Sequence, residues 1–221
     1  MPSLWHYLRR APFKTRKLFL SKRAEKLHVG SGSSALAGWV NIDNQKLPGV
    51  DAVIDVTFGL PFRDVGFIFA EHFIEHLSYN DAMYFLAECR RVLRDDGVLR
   101  LSTPNLDWVW ASHYRRVLSK EQETIACFAL NRGFRGWGHQ FLYNFGTLAA
   151  TLRDAGFANV VRCDYGTSAH PELAGLESHE KSEDYEGISH ILIVEASGRG
   201  GGSPGEFVES RDLYLRDLNV R

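Results

Sequence analysis

The sequence has few cysteines, almost no net charge and no long apolar segment. Its three cysteines, Cys89, Cys127 and Cys163, lie far apart and form no C-x-x-C pair, so they indicate neither a disulfide framework nor a zinc site. No apolar run reaches the roughly 18 residues of a membrane-spanning helix, and no basic stretch precedes a signal-type apolar core. These absences predict a cytoplasmic protein, and no metal site is predicted.

The overall composition is that of a globular protein, with 44% apolar and 24% charged residues, and the length of 221 residues favours one α/β domain. The net charge of −1 conceals an asymmetry, because residues 1–26 carry eight basic side chains against the single acid Glu25. We expect this basic N-terminal arm to cover an edge of the sheet. Weak contact with a membrane surface is the alternative, and no nucleic-acid partner is expected.

The chain is organised around a short apolar run, residues 26–29, that gives way abruptly to Gly30-Ser31-Gly32. Glycines lack a Cβ, so the backbone can take positive φ there and a ligand can approach it closely. A second predicted strand ends in Asp43, whose carboxylate is suited to accept hydrogen bonds from a ribose diol. Two such strand ends side by side predict a nucleoside site, and a plain structural turn is the alternative.

The glycine loop also fits the dinucleotide fingerprint G-x-G-x-x-G/A, with Ala35 in the last position. That fingerprint expects its acid about 20 residues after the first glycine, following a helix whose N-terminus holds the pyrophosphate. Asp43 follows Gly30 by only 13 residues, which leaves no room for this helix. The spacing therefore favours a nucleoside without a diphosphate, and an NAD(P)-dependent oxidoreductase is the weaker alternative.

Polar residues also follow two later apolar runs. Asp55 lies near the end of residues 50–56, and residues 67–70 lead directly into Glu71 and His72. Open α/β sheets bind ligands at the carboxyl ends of their strands, so we expect these side chains to reach the same site.

The remaining elements follow from periodicity and capping signals. Apolar residues at helical spacing predict a helix over residues 79–94, capped by Ser78. The capping box that begins at Ser119 predicts a helix through about Asn131 with Gly133 as its stop, and Asn144 is suited to cap another. Further strands are expected at residues 98–102, 159–165 and 189–195, and residues 207–221 are expected to form a loosely attached tail.

Together these motifs resemble the class I S-adenosylmethionine-dependent methyltransferases, specifically a small subgroup with GWxNxD and EHxxEHL motifs. Here the two motifs are Gly38-Trp-Val-Asn-Ile-Asp43 and Glu71-His-Phe-Ile-Glu-His-Leu77. The resemblance covers residues 27–196, between the arm at 1–26 and a glycine-rich linker with a charged tail at 197–221. It implies an α/β, three-layer Rossmann-like fold with a mostly parallel seven-stranded sheet, one antiparallel strand and a shortened first crossover.

The resemblance also implies S-adenosylmethionine as the cofactor and a small-molecule acceptor, such as a sugar or polysaccharide-precursor hydroxyl. The methionine part of the cofactor would lie against Gly30-Ser31-Gly32, and Asp43 would bind the ribose hydroxyls. Asp55 and its neighbour Val56 would face the adenine. Glu71, with His72 beside it, falls where the fourth strand of the family ends beside the sulfonium methyl.

Methyl transfer from a sulfonium is an in-line displacement, which requires alignment of the reacting atoms and removal of the acceptor's proton. His72 is the predicted base or orienting group, because imidazole titrates near neutral pH. His139, in the glycine- and aromatic-rich segment 133–140, is the second catalytic candidate. The alternative for each histidine is a structural role. A protein that binds the cofactor or a partner without catalysis is the remaining alternative.

Overall fold

The computed structural model describes residues 22–114, 119–179, 183–200 and 208–218. The strands are β1 Lys22–Arg23, β2 Lys26–Val29, β3 Val40–Asp43, β4 Ala52–Val53, β5 Phe62–Arg63, β6 Val65–Glu71, β7 Leu93–Pro104, β8 Phe157–Cys163 and β9 Ile191–Arg199. The helices are α1 Tyr79–Val92, α2 Leu106–His113, α3 Lys120–Arg135, α4 Phe145–Asp154 and α5 Val208–Leu218. Residues 1–21 of the basic arm, and the membrane contact considered for them, lie outside the described residues.

Seven strands form one sheet in the order β4-β3-β2-β6-β7-β9-β8. Neighbouring strands are parallel except for β9, which runs antiparallel to both β7 and β8. The predicted α/β class and the mostly parallel seven-stranded sheet with one antiparallel strand are therefore confirmed. Residues 30–39, which connect the parallel neighbours β2 and β3, contain no helix, in agreement with the predicted short first crossover. Separately, β1 pairs with β5.

One face of the sheet is covered by helices. Leu27, Ile68 and Leu99 project from β2, β6 and β7 into one buried cluster with Phe85 of α1 and Leu148 of α4. Each of these side chains is completely buried. Burying a large apolar side chain contributes about 1.5–3 kcal/mol, so this cluster is a main source of stability and fixes the strands that carry the site.

The opposite face is covered by irregular chain. Arg100 of β7 is completely buried there and donates hydrogen bonds of 2.6 Å to both Glu177 and Glu195, and one of 2.9 Å to the carbonyl of Thr167. On the same face, Leu173 packs in a smaller apolar cluster with Trp39, Phe69 and Val98. Residues 164–179 contain no helix, so an ion-paired loop forms this covering layer of the sheet.

Side-chain caps begin the helices where the sequence predicts. Ser78 accepts a hydrogen bond from the N–H of Asp81 at the start of α1, and Ser119 accepts one from Gln122 at the start of α3. However, α3 continues through Gly133, which was expected to end it. A Cβ at this position would lie 3.0 Å from Val109 of α2, so the glycine allows close helix packing instead of a stop.

The segment expected to form a loosely attached tail contains helix α5. Arg211 of this helix donates a 2.8 Å hydrogen bond to Asp154 at the end of α4. The ring of Tyr214 lies 5.4 Å from that of Phe141. Residues 208–218 are therefore in contact with the domain. No helix among the described residues has the length and apolar character needed to cross a membrane.

Candidate active site

The carboxyl ends of the parallel strands bring the predicted site residues to one edge of the sheet. The glycine loop follows β2, Asp43 ends β3, and Glu71 ends β6. The register of β2 against β6 pairs His28 with Phe69, so two residues further on Gly30 is level with Glu71. This is the edge at which open α/β sheets bind their ligands.

Direct hydrogen bonds fasten the glycine loop to the end of β3. Gly30 and Gly32 take φ values of +67° and +52°, which glycine adopts without steric cost. The N–H groups of Gly30 and Ser31 donate to the carbonyl of Ile42 at 2.9 and 3.1 Å, and the N–H of Gly32 donates to Asp43 Oδ2 at 3.0 Å. The loop and the acid are therefore joined in one hydrogen-bonded unit.

The two glycines have different surroundings. A Cβ on Gly30 would lie 2.3 Å from Cδ2 of Phe73, so the Phe73 ring packs directly on the backbone of the loop. For Gly32, no atom of the described chain lies within 4 Å of the corresponding point. The loop is thus closed on one side by an aromatic ring and open on the other. Phe73 was missed by sequence analysis, although it lies inside the second motif.

The open side of the loop suits a bound cofactor. Ser31 is only 3% exposed, and its hydroxyl has no hydrogen-bond partner among the residues that the structure describes. A buried hydroxyl without a partner is costly, and a ligand atom would satisfy it. Asp43 also accepts from the N–H of Gln45, yet a carboxylate has about four acceptor positions, so positions remain for ribose hydroxyls.

Asp55 caps a short helical turn beside Asp43. It is exposed, and its Oδ1 accepts hydrogen bonds of 2.9 and 2.7 Å from the N–H and hydroxyl of Thr57. Val56 is buried in the main core. The N–H of Ile54 donates to the carbonyl of Asp43 at 2.7 Å, which holds this turn next to the end of β3. The capping role leaves Oδ2 of Asp55 as the acceptor available to a ligand.

Glu71 fixes a distant segment of the chain. Its buried carboxylate accepts hydrogen bonds from the N–H and hydroxyl of Ser178 and from the N–H of His179, and the His179 ring lies 3.1 Å away. Burial raises the pKa of Glu71, but these hydrogen bonds outweigh it and hold the pKa below its ordinary value. Ser178 is 107 residues away in sequence, so no local pattern predicts this contact.

His72 has an unusual backbone and an available nitrogen. Its φ is +46°, a conformation that residues other than glycine rarely take and that is concentrated at functional sites. Nδ1 lies 3.2 Å from Oε1 of the completely buried Glu75, whose Oε2 accepts a hydrogen bond from Thr103. Nε2 is buried, and within the described part of the chain it has no hydrogen-bond partner.

A cavity of about 620 Å³ opens beside His72, and histidines dominate its wall. His139 also lines it, so the structure brings both predicted catalytic residues to one space. Burial lowers the pKa values of two other lining residues, His113 and His190, which favours their neutral forms. The histidines that line this cavity are His72, His76, His113, His139, His179 and His190, and Trp108 and Trp137 complete its aromatic part.

Residues 27–101, which are 75 of the 221 residues, match the family model described as "Methyltransferase domain". This segment resembles a methyltransferase domain. It contains the glycine loop, Asp43 and His72, and ends within β7. The match supports the predicted enzyme class, an S-adenosylmethionine-dependent methyltransferase, and the predicted cofactor. No curated protein matches the sequence.

Solved structures similar to this chain include cofactor-bound proteins. "DhpI-SAH complex structure" has 14% identity and a TM-score of 0.48, over 90% of this chain and 88% of that one. "PigF with SAH" has 15% identity and a TM-score of 0.46, over 87% and 56%. "The structure of LepI complex with SAM" has 9% identity and a TM-score of 0.43, over 83% and 46%, so this chain spans about half its length.

Proposed function

We propose that this protein transfers the methyl group of S-adenosylmethionine to a small-molecule acceptor bound in the histidine-lined cavity. One observation carries the proposal: the glycine loop bonded to Asp43 and the strained His72 follow adjacent strands, β2 and β6, at the same edge of the sheet. A cofactor at the loop and an acceptor in the cavity would therefore be neighbours. Both strands lie in the segment that matches a methyltransferase domain.

Four parts of the chain would hold the cofactor. Gly30-Ser31-Gly32 would hold its methionine part and give the Ser31 hydroxyl a partner, and Asp43 would accept hydrogen bonds from the ribose hydroxyls. Asp55 and the backbone of Val56, whose side chain is buried in the main core, would face the adenine. Glu71 would close this part of the site by holding Ser178 in place. When bound, the cofactor supplies an activated methyl group.

On the acceptor side, His72 removes the proton of the acceptor hydroxyl. Its Nδ1 lies 3.2 Å from Oε1 of the buried Glu75, and its Nε2 has no hydrogen-bond partner among the described residues, so the Nε2 lone pair can accept a proton. A carboxylate this close to a basic imidazole stabilises the imidazolium that forms. A general base of this kind contributes about 10²- to 10⁴-fold to the rate. His139 is the second candidate for this role.

The size and lining of the cavity suit a small acceptor. Its volume of about 620 Å³ lies within the roughly 300–1,000 Å³ of typical ligand pockets. The lining combines aromatic rings with several imidazole nitrogens, which can donate to or accept from hydroxyl groups. We therefore assign a hydroxylated small molecule, such as a sugar or polysaccharide precursor, as the acceptor class.

Calorimetry and turnover assays test this function. The purified chain and the Asp43→Ala variant are titrated with S-adenosylmethionine, S-adenosylhomocysteine and NAD. We expect the chain to bind the first two ligands, and the variant to bind them more weakly. Binding of NAD alone would instead support an oxidoreductase. The chain is then incubated with methyl-labelled cofactor and fractions of cell extract, and transfer of the label is measured. If the chain binds the cofactor but releases S-adenosylhomocysteine with none of the fractions, it is a binding protein and not an enzyme.

A further inference from the structure

A second group of side chains meets at the edge of the same cavity. Glu75, His76 and His139 each place a potential metal-ligand atom within 4.8 Å of the other two. His76 and His139 line the cavity, and Glu75 is completely buried next to them. Residues 75 and 76 belong to a short helical turn after β6, whereas His139 follows α3, so the fold brings two distant segments together.

Backbone hydrogen bonds hold these two segments in register. The N–H of Gln140 donates to the carbonyl of Glu75 at 2.7 Å, and its side-chain amide donates to the carbonyl of His76 at 2.6 Å. The N–H of Phe141 also donates to the carbonyl of Glu75, at 3.2 Å. The positions of the three side chains are therefore set by the backbone as well as by their own rotamers.

The orientation of the side chains leaves ligand atoms available. Thr103 donates to Oε2 of Glu75, while Oε1, which lies 3.2 Å from His72 Nδ1, accepts no hydrogen bond of good geometry from the described residues. His139 donates its Nδ1–H to the carbonyl of Gly133 at 2.8 Å, which leaves the Nε2 lone pair free. Metal-binding histidines almost always make such a bond with their other nitrogen. Glu75 is also a buried carboxylate, whose charge a cation would compensate.

The donor set specifies the kind of cation. Two imidazoles and one carboxylate are typical ligands of zinc and other first-row divalent ions, whereas magnesium and calcium prefer oxygen ligands. Ligand atoms around a tetrahedral zinc ion lie about 3.3 Å apart, so the group would have to contract by at most about 1.5 Å. Three protein ligands leave one coordination position for a substrate or water.

We infer that Glu75, His76 and His139 form a binding site for a divalent first-row transition-metal ion, for which zinc is the best match. The open position faces the cavity. If the proposed function holds, an acceptor oxygen bound there would lose its proton more readily, because a coordinated metal stabilises the resulting anion. His139 would then be a metal ligand, and His72 would remain the base.

Cobalt binding tests the site without any enzymatic assay. The full-length chain is treated with EDTA, exchanged into metal-free buffer, and titrated with Co²⁺ while its visible absorption is recorded. One Co²⁺ per chain is expected, with Zn²⁺ competing and Mg²⁺ failing to compete. His76→Asn and His139→Asn should each weaken Co²⁺ binding by about a hundredfold or more, since loss of even an outer partner costs about 10- to 100-fold. His113→Asn, from the same cavity wall, is the matched control and should leave binding unchanged.

Failure to bind Co²⁺ at millimolar concentration would overturn the inference, as would binding that survives both histidine substitutions. Glu75→Gln is a further variant, checked by thermal unfolding because Glu75 is completely buried; if it does not fold, the two partly exposed histidines decide. S-adenosylhomocysteine is titrated into the same EDTA-treated samples. Cofactor binding without Co²⁺ binding removes the metal site alone, whereas Co²⁺ binding without cofactor binding contradicts the proposed function alone.

Discussion

The N–H of Gly32 donates a 3.0 Å hydrogen bond to Oδ2 of Asp43, and this bond joins the ligand loop after β2 to the end of β3. In dinucleotide-binding folds, a helix between these strands positions the loop and presents its N-terminus to the pyrophosphate. Here the acid itself positions the loop, which explains how residues 30–39 can connect the two strands without a helix. Asp43 is therefore expected to affect both loop geometry and ligand affinity.

Asp43→Ala should weaken binding of S-adenosylmethionine by about tenfold to a hundredfold or more. Hydrogen bonds to a charged group are worth about 1.5–3 kcal/mol, and this substitution removes those to the ligand as well as the one from Gly32. Calorimetry measures the affinity, and thermal unfolding confirms the fold. Asp96→Asn, an exposed acid in β7 between the paired residues Leu93 and Val98, serves as the control. Unchanged affinity in Asp43→Ala would remove this residue from the site.

Ser31→Ala should have opposite effects on stability and on ligand binding. Without ligand, it removes a buried hydroxyl that lacks a partner in the described structure, so the free energy of unfolding should stay equal or rise by up to about 1–3 kcal/mol. With cofactor, it removes one hydrogen bond worth about 1 kcal/mol, and affinity should fall about fivefold. Denaturant titration and calorimetry give the two values. A marked loss of stability in the free protein would show that the hydroxyl already has a partner.

Gly30→Ala and Gly32→Ala form a matched pair. Both impose the strain of positive φ on an alanine, which costs about 1–2 kcal/mol. Gly30→Ala also forces its Cβ to 2.3 Å from the Phe73 ring and should unfold at a clearly lower temperature. Gly32→Ala meets open space and should fold, but its methyl group would occupy the ligand side and weaken cofactor binding. Equal thermal stability of the two variants would contradict the packing of Phe73 on the loop.

His72→Asn should reduce methyl transfer by about 10²- to 10⁴-fold while cofactor affinity stays nearly constant, because the variant removes a general base. Asparagine is chosen because it tolerates the positive φ of this position better than alanine. A reduction of only about fivefold would indicate an orienting hydrogen bond worth roughly 1 kcal/mol. His190→Asn in the same cavity is the comparison. Full activity of His72→Asn would exclude it as the base and leave His139 as the next candidate.

We expect the folded protein to lose stability in mild acid because of His28. Burial lowers the pKa of this β2 residue below its ordinary value of 6.5, although the hydrogen bond to Asn41 offsets part of the effect. The unfolded chain therefore takes up the proton more readily. The stabilisation that comes from keeping His28 neutral is therefore complete above about pH 6.5. Below that pH the free energy of unfolding falls by up to about 1.4 kcal/mol per pH unit, until the pH reaches the pKa of His28 in the folded chain.

Urea unfolding of wild type and His28→Gln between pH 7.5 and about pH 5 measures this effect, because the variant lacks the titrating group. The slope of stability against pH should be smaller in His28→Gln than in wild type. Identical slopes in the two proteins would show that His28 is accessible to protons in the folded state.

The strand ends were predictable because they are visible locally. Glycines or acids interrupt each apolar run, and Ser78 and Asn144 cap their helices as expected. Element lengths were less predictable, because pairing partners set them. Residues 98–102 were expected to form a strand, but β7 extends over Leu93–Pro104 because β6 also pairs with Leu93 and β9 pairs as far as Pro104. Conversely, only Ala52 and Val53 of the expected strand at residues 50–56 have a neighbour to pair with.

The candidate site could be predicted only in part, for a similar reason. Gly30, Asp43 and His72 each carry a signal in a short motif. In contrast, the contact of Glu71 with Ser178 and the meeting of Glu75 with His139 join segments far apart in sequence. Such long-range contacts depend on how the loops cross the edge of the sheet, and neither hydrophobic periodicity nor helix capping determines this. The cavity itself therefore became visible only in three dimensions.

The buried ion pairs of Arg100 make the two sides of the cavity unequal in mobility. Glu177, which binds Arg100, lies two residues before the cavity-lining His179, so displacing this segment would leave an uncompensated buried charge and cost about 3–5 kcal/mol. On the other side, α3 buries only Ala126 among its described side chains. Displacing α3 would therefore expose little buried apolar surface. We therefore expect acceptor and product to enter and leave on the α3 side, while residues 164–179, which contribute His179 to the cavity wall, stay fixed and keep Glu71 in position.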